Sequence, residues 1–104
     1  MKSFIKNNYT RKDLILLSTQ YKYIVKATDA FLSGWGNSTS KKHIQVILCK
    51  DEHEKELILN DVYKDNTLQY VNWYPLSNSF YQNILNLQYK YDVSLRNDWT
   101  RIYN

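Results

Sequence analysis

Glycine is almost absent from this chain, and its placement constrains the backbone more than any other single feature. A protein of this length ordinarily has glycine at about 7% of its positions, whereas this chain has two, Gly34 and Gly36. Both lie in the hexapeptide Phe-Leu-Ser-Gly-Trp-Gly at residues 31–36. Because glycine permits backbone conformations that other residues avoid, we expect backbone geometry, rather than side-chain burial, to be specified in this segment.

Length and composition indicate one globular domain over residues 1–104. The chain is long enough for one core and too short for two ordinary domains. Its 43% hydrophobic and 23% charged residues are typical of globular proteins. No apolar run approaches the roughly 18 residues of a membrane span, and the N-terminus lacks the apolar segment of a signal peptide. We therefore expect a cytoplasmic protein without a membrane partner, with residues 1–9 as a flexible basic arm.

Charge is distributed unevenly along the sequence. Residues 1–50 contain nine lysines and arginines against two acids, whereas residues 51–65 contain six acids against two lysines. The formal net charge of the whole chain is +4. A mostly basic body beside an acidic helix suggests a partner with a phosphate backbone or an acidic protein face.

Hydrophobic periodicity and cap residues predict the order α-β-β-α-β-(α)-β. Thr10 with Asp13, and Asp51 with Glu54, have the spacing of capping boxes at the starts of two helices. The predicted elements are a helix over 10–19, strands over 21–28 and 43–49, a helix over 51–65, a strand over 68–74, an ambiguous segment over 79–86, and an alternating strand over 87–95.

The order of these elements indicates the fold class. Strands and helices are mixed along a short chain, which favours a small α+β domain. We expect one mainly antiparallel sheet with two or three helices packed on one face. In β-strand 43–49, Ile44, Val46 and Leu48 should face one side of the sheet, with Ile47 and Cys49 on the other.

The glycine pair does not form a nucleotide-binding fingerprint. A third glycine is missing, no Lys-Ser or Lys-Thr follows, and the chain does not enter a helix there. One interpretation is a turn that presents Ser33, Trp35 and main-chain N–H groups to a partner. The alternative is a turn whose Trp35 covers the edge of the sheet.

No spacing in the sequence predicts a metal, a cofactor or a catalytic centre. His43 and His53 lie ten residues apart with Cys49 between them, and zinc sites usually use closely spaced pairs of ligands. Cys49 at a strand end is typical of a packed hydrophobic residue. We expect no enzymatic activity; a pocket that gathers Ser33, His43 and an acid would favour an enzyme.

A basic patch with interleaved aromatic residues is the predicted partner-binding surface. Lysines neutralise phosphates and aromatic rings stack on bases in single-strand binding, although solvated lysines on a basic protein would show the same composition. The patch comprises Lys41 and Lys42 together with Lys22, Lys26, Arg11 and Lys12, interleaved with Tyr21, Tyr23 and Trp35.

Aromatic residues are also concentrated after residue 69. The sequence contains ten tyrosines and three tryptophans, and such residues anchor protein interfaces. An unusually aromatic core is the alternative explanation. We expect part of this tract to be exposed, Trp73 included, as a contact for a partner. The tract consists of Tyr70, Trp73, Tyr74, Phe80 and Tyr81.

A set of short motifs lies within residues 21–73: Tyr-Ile-Val-Lys-Ala-Thr-Asp at 23–29, the Phe-Leu-Ser-Gly-Trp-Gly motif, a strand ending in Cys49, an acidic helix and Tyr-Val-Asn at 70–72. In these motifs the segment resembles a family of small uncharacterised proteins of phages and prophages of low-GC bacteria. The chain departs from the family at Lys55 and Asp65, where a small apolar residue and a basic residue are expected. The resemblance implies a phage origin and an accessory role, and no catalytic residues.

Two functions are therefore expected. The first is a non-enzymatic phage accessory protein that binds and blocks a host protein or ribonucleoprotein complex, such as a CRISPR effector, in the manner of an anti-CRISPR inhibitor. The second is a small basic module that binds single-stranded nucleic acid or RNA directly, with a steep dependence on salt.

Overall fold

One four-stranded sheet organises the fold. The computed structural model describes residues 10–33, 42–77 and 79–99, so the expected arm at residues 1–9 lies outside the described part. The elements in chain order are α1 (Arg11–Ser18), β1 (Tyr23–Asp29), β2 (His43–Cys49), α2 (Glu52–Tyr63), β3 (Leu68–Pro75), α3 (Phe80–Lys90) and β4 (Asp92–Arg96). The predicted α+β class and order of elements are confirmed.

Side chains cap the N-termini of the first two helices. The cap of α1 has the predicted hydrogen bonds, and the cap of α2 has one of the two. At α1, Thr10 N donates to the Asp13 carboxylate and Asp13 N donates to the Thr10 hydroxyl, each at 3.2 Å, which completes the box. At α2, Glu54 N donates to Asp51 at 2.8 Å. The Glu54 carboxylate, however, accepts from Lys50 N at 2.9 Å. The predicted reciprocal box of α2 is therefore only half formed.

The sheet is mixed, with the strand order β3-β1-β2-β4. Strand β1 is antiparallel to both β2 and β3, and β4 is parallel to β2. The sheet is thus mainly antiparallel, as predicted. In β2 every residue from 44 to 49 is buried, because strands flank it on both sides and helices cover both of its faces.

Helices pack on both faces of the sheet, so the prediction that they share one face is wrong. On one face, Val46 of β2 belongs to a hydrophobic cluster with Ile84 of α3 and residues of α1. On the other face, Ile47 belongs to a second cluster with Val62 of α2. The predicted alternation of β2 side chains is confirmed, and it supplies two cores rather than one core and one solvated face.

The connections between parallel strands explain why the helices lie on opposite faces of the sheet. Strand β3 runs parallel to β2 and β4, since β2 and β3 are each antiparallel to β1. Parallel strands need a crossover, usually a helix, and α2 and α3 provide the two crossovers. In the strand order β3-β1-β2-β4, α2 leads from β2 to one edge of the sheet and α3 leads from that edge to the other, so the two connections run in opposite directions. Two crossovers of the same hand that move in opposite directions must pass over opposite faces.

Helix α3 replaces the first part of the strand predicted over residues 87–95. The ambiguous segment 79–86 is helical from Phe80, and the helix continues to Lys90 before β4 begins at Asp92. Leu87 thus belongs to the helix, where it follows Phe80 and Ile84 at helical spacing. The chain has to cross one whole face to reach β4, and this crossover favours the helix over the alternation.

A bulge interrupts the pairing of β3 with β1. Lys26 pairs with Asn72, whereas Thr28 pairs with Gln69, so β3 contains one extra residue. Tyr70 lies in this bulge with φ of 55°, in the left-handed region that bulky residues avoid. Asn72 Nδ2 donates to the Tyr70 carbonyl at 3.1 Å. Bulges redirect side chains at sheet edges, and this one lies beside the candidate site.

Candidate functional site

A groove opens on the sheet face that α1 and α3 cover only in part. These helices pack over β2 and β4, which leaves the β1–β3 half of the same face accessible. The groove has a volume of about 550 Å³, with Ile24 and Lys26 of β1 and Tyr74 of β3 at its floor and α3 as its wall. This volume lies within the range of ligand-binding pockets.

A smaller cavity continues this groove towards the start of β2. It has a volume of about 190 Å³ and shares Lys26, Leu87 and Tyr91 with the larger one. Lys42 and Tyr70 line only the smaller cavity. We call the two together the sheet groove. The sheet groove runs along β1, and α3 lines it from the first turn of the helix to the last.

The charged side chains that line the sheet groove are all lysines. Lys26 lies in its middle, and Lys42 and Lys90 lie at one end. No aspartate or glutamate is among the lining residues. Within the described ranges, none of the three lysines forms an ion pair. The groove therefore presents positive charge that no described acidic residue compensates.

Aromatic rings and amides supply the other polar groups of the sheet groove. Rings that carry a hydroxyl offer a stacking surface with a polar tip, and amides offer both donors and acceptors. Asn83 makes no side-chain hydrogen bond within the described part of the chain. The tyrosines are Tyr70, Tyr74 and Tyr91, and the asparagines are Asn72, Asn83 and Asn86.

Strand β3 forms an exposed aromatic edge of the sheet. It pairs only with β1 among the described strands. Tyr70, Trp73 and Tyr74 are 76%, 44% and 45% exposed, which confirms that part of the aromatic tract lies at the surface, although Phe80 is buried. Tyr74 points to the sheet groove and Trp73 to the opposite face, so the edge is aromatic on both sides.

Trp73 stacks on a buried lysine on the α2 side of the sheet. The Lys55 Nζ lies 3.6 Å from the centroid of the Trp73 ring and 5.2 Å from that of Tyr23. The two rings meet edge to face at 5.9 Å. Glu56 and Glu52 pair with the ammonium at 3.3 and 3.8 Å. These contacts explain how a lysine is accommodated here, and they hold the ring of Trp73, which remains 44% exposed.

A polar cluster occupies the far end of β1 and β2 on the α2 side. The Asp29 carboxylate accepts from Gln45 Nε2 at 2.9 Å and from Leu32 N at 3.0 Å. Ser33 Oγ donates to the Asp29 carbonyl at 2.6 Å and accepts from His43 N at 2.8 Å. These bonds hold the turn after β1 against the start of β2.

The same cluster gathers Ser33, His43 and an acid, the combination that would favour an enzyme. The Ser33 hydroxyl, however, bonds to the main chain of His43 rather than to its imidazole. His43 Nε2 instead lies 2.6 Å from Ser94 Oγ, a separation at which a base activates a nucleophile. Ser33, Ser94 and Asp29 are buried, and none of them lines the sheet groove. The cluster thus has the contacts of a structural network.

Cys49 has the properties of a packed side chain. It is fully buried in the cluster under α2. Burial, reinforced by the nearby Glu54 carboxylate, raises the pKa of its thiol from 9.0 to about 12. Because the thiolate is the reactive form, this cysteine is a poor nucleophile and metal ligand near neutral pH. Within the described ranges, no three His, Cys, Asp or Glu side chains group as a metal would require.

The predicted partner-binding residues that the structure describes do not lie together in one patch. Tyr21 is buried in the cluster under α1 and α3, where its hydroxyl accepts from Asn97 Nδ2 at 3.4 Å. Ser33 is buried in the polar cluster. Burial removes both from the accessible surface. Trp35 and Lys41 lie outside the described residues.

The other three predicted residues are accessible but lie on two faces. Lys42 is exposed at the end of the sheet groove, whereas Tyr23 and Trp73 stack on the opposite side of the sheet. Sequence reasoning missed Lys90 and Asn83. The helical spacing of Phe80, Ile84 and Leu87 places both residues on one helix, but residues 79–86 were ambiguous and the alternation over 87–95 favoured a strand.

Comparisons with known proteins add no relative. No protein-family model matches this sequence, and neither a curated protein nor a solved structure is detectably similar to it. Within the described residues, none of the helices has the length and apolar character needed to cross a membrane.

Proposed function

We propose that this protein is a non-enzymatic binding protein that blocks a host macromolecule, a protein or a ribonucleoprotein complex, by covering part of its surface. One observation carries the proposal: Tyr70, Trp73 and Tyr74 are exposed together on the edge strand β3, beside a groove lined by lysines and no acids. Large aromatic residues with accessible faces are the usual anchors of protein interfaces.

The edge of β3 offers main-chain groups as well as side chains. An edge strand carries N–H and C=O groups that another chain can pair with. The bulge at Tyr70 and the proline at position 75 shorten the regular part of this edge. A partner would therefore gain most of its contact from the aromatic rings, and only a short stretch of main-chain pairing.

The identity of the host target rests on the resemblance of residues 21–73 to phage and prophage proteins. A phage accessory protein that binds without catalysis most simply acts as an inhibitor in the host cytoplasm. A defence or nucleic-acid-processing complex, such as a CRISPR effector, is the target class that this context favours. The burial of Ser33 and Ser94 supports a binding role rather than a catalytic one.

Affinity purification with surface variants tests the proposal. The tagged protein is incubated with nuclease-treated lysate of a low-GC bacterial host, and bound proteins are identified by mass spectrometry. Trp73→Ala removes an anchor of the β3 edge, and Tyr89→Ala is the control, because Tyr89 is 88% exposed and lines neither part of the sheet groove. Thermal unfolding establishes that each variant folds, and Tyr70→Ala replaces Trp73→Ala if the latter does not.

The proposal predicts a specific host protein that the wild type and Tyr89→Ala retain equally. Loss of a central anchor costs more than about 1.4 kcal/mol, or tenfold in affinity, so the edge variant should retain at least tenfold less. Addition of the purified protein should inhibit the activity of the captured complex. Equal capture by all variants, or no captured protein at all, would refute the proposal.

A further inference from the structure

The sheet groove changes in polarity along its length. Ile24, Leu76 and Phe80 line the end near the start of α3. At the other end, Asp92 N donates to the Lys42 carbonyl at 3.0 Å, which brings the last turn of α3, with Lys90, close to Lys42. One end is therefore apolar and the other is cationic, with Lys26 between them.

Positive charge without a counter-charge indicates an anionic occupant. The three groove lysines form no ion pair in the described part of the chain, and no acid lines the groove. A concave surface with one sign of charge concentrates ligands of the opposite sign. Val46, the partner of Lys26 in the sheet, lies four residues beyond Lys42, so Lys26 and Lys42 are about 14 Å apart along the strand direction. They can reach two different anionic groups of one ligand.

The apolar part of the groove favours a flat, polar-edged ring over a hydrocarbon chain. The exposed face of Tyr74 suits stacking by a planar ring. Asn83 and Asn86 lie in this part of the groove. Asn86 Oδ1 accepts from Gln82 Nε2 at 3.1 Å, whereas a hydrocarbon beside Asn83 would leave its amide without a hydrogen-bond partner at a cost in free energy. A nucleobase has both the stacking surface and the donors and acceptors along its edge.

The floor of the groove disfavours an extended acidic peptide. Such a peptide gains affinity from main-chain pairing at a sheet edge. Here β3 contributes the Tyr74 side chain to the floor, and the middle of the floor belongs to β1, an inner strand: Lys26 pairs with Val46 on one side and with Asn72 on the other. Its main-chain groups are engaged in the sheet, so the groove offers a peptide side-chain contacts alone.

We propose that the sheet groove binds a segment of single-stranded nucleic acid. Phosphates lie along Lys26, Lys42 and Lys90, and a base turns into the apolar end to stack on Tyr74 beside Asn83. The inference rests on the proposed function, since the strand is the nucleic-acid part of a bound ribonucleoprotein. The two contact surfaces share Tyr70 and Tyr74. They differ in Trp73, which lies on the face opposite the groove lysines, so Trp73 variants and lysine variants test them separately.

Fluorescence anisotropy with labelled oligonucleotides of about twelve uridines or thymidines tests the inference. Single-strand binding falls with salt in proportion to the number of neutralised phosphates, with a slope of about −0.7 for each. Three contacts predict that affinity falls roughly 20-fold between about 50 and about 200 mM NaCl. Removal of one contact by Lys26→Gln or Lys90→Gln should reduce this fall to roughly sevenfold.

Matched variants separate the groove from general basicity and aromaticity. Lys64→Gln is the charge control, because Lys64 is exposed at the end of α2, on the other side of the sheet. This substitution should leave the salt dependence of binding unchanged. Tyr74→Ala should weaken binding about tenfold through lost stacking, whereas Tyr89→Ala should have no effect. All these side chains are exposed except that of Lys26, which is half-buried, so Lys90→Gln decides the result if Lys26→Gln unfolds.

Competition identifies the class of ligand. Uridine monophosphate, poly-glutamate and oleate are each added to the complex with the oligonucleotide. Displacement by the mononucleotide at equal nucleotide concentration would assign the groove to a free nucleotide, and efficient displacement by poly-glutamate or oleate would assign it to another anion. Each of these results overturns the inference. So does the absence of oligonucleotide binding, or a salt dependence of the affinity that Lys90→Gln leaves unchanged.

The two proposals fail separately. If nuclease-treated lysate yields a partner protein that depends on Trp73 while the isolated protein binds no oligonucleotide, the groove inference is wrong and the occlusion proposal stands. If oligonucleotides bind with the predicted lysine dependence and no host protein is captured, the protein acts on nucleic acid alone and the occlusion proposal is wrong.

Discussion

Tyr70 combines an unfavourable backbone conformation with high exposure. Its φ of 55° places a bulky residue in the left-handed region, which costs roughly 1–2 kcal/mol for residues other than glycine. The bulge that imposes this conformation also brings the ring to the sheet groove. Strained residues persist where the surrounding structure fixes them, and they occur often at functional sites. We therefore interpret Tyr70 as a residue kept for contact rather than for stability.

Two substitutions at Tyr70 separate its backbone cost from its ring. Tyr70→Gly and Tyr70→Ala both remove the ring, but only alanine keeps the Cβ that disfavours this conformation. The glycine variant should therefore be the more stable by about 1 kcal/mol in urea unfolding. Both variants should lose affinity for the partner to the same extent. An alanine variant as stable as the glycine variant would show that the conformation at position 70 relaxes without cost.

The buried thiol of Cys49 makes stability depend on pH in the alkaline range. Its pKa is raised to about 12 in the folded chain, against 9.0 for an unperturbed cysteine. The folded state therefore holds this proton more tightly, and the resulting stability is fully present below pH 9 and lost as pH rises towards 12. Urea unfolding near pH 8 and pH 10.5 should show a smaller fall in the free energy of unfolding for Cys49→Ala than for the wild type. Equal falls would contradict the burial of the thiol.

At the scale of elements, Asp29 and Gln45 bind β1 to β2 where the chain turns between them. The Asp29 carboxylate accepts from Gln45 Nε2, and both side chains are buried. Asp29→Ala leaves the buried Gln45 amide without its acceptor, which should cost about 1–3 kcal/mol. Adding Gln45→Met removes the unsatisfied amide as well, so the double variant should lose less than the sum of the two single losses. A double-mutant cycle in urea measures the coupling, and purely additive losses would contradict it.

Elements marked by capping residues or clear hydrophobic periodicity were predictable from the sequence. Elements whose type depends on the order of the strands in the sheet were not. Strand β2 has its predicted bounds because Ile44, Val46 and Leu48 alternate between polar flanks. Helix α2 was predictable from Asp51 and the apolar spacing that follows. Residues 87–90 satisfied both strand and helix periodicity, and the need to cross a face to reach β4 decided between them. That need follows from the strand order, which no local pattern records.

The candidate site was predictable in its residue types and not in its assembly. Lys26 and Lys42 belonged to the predicted basic set, and Tyr70 and Tyr74 to the aromatic tract. Their meeting in one groove depends on α3 leaving the β1–β3 half of a face uncovered. Lys90 joined them only because α3 continues past residue 86. The positive φ of Tyr70 had no signal in the sequence, since glycine is the usual mark of such positions and is absent there.

At the scale of the whole molecule, a small domain divides its hydrophobic residues between two cores. The crossovers α2 and α3 cover opposite faces, so β2 contributes neighbouring side chains to both clusters. Each core is small, and stability depends on both. The same division leaves part of one face without a helix, which forms the sheet groove. The groove is thus a consequence of the topology: the three helices of the described part of the chain do not cover both faces of its four-stranded sheet.

Neighbouring core substitutions in β2 test this two-sided architecture. Leu48 packs under α1 and α3, and Ile47 packs under α2, and both are fully buried. Ile47→Ala and Leu48→Ala should each lower the free energy of unfolding by about 3 kcal/mol, whereas Ile15→Ala on the exposed side of α1 should change it little. Ile47→Val, expected to cost about 1 kcal/mol, keeps the measurement possible if the alanine variants do not fold. A sheet with helices on one face would instead tolerate one of the two positions, so a small loss at either would contradict this architecture.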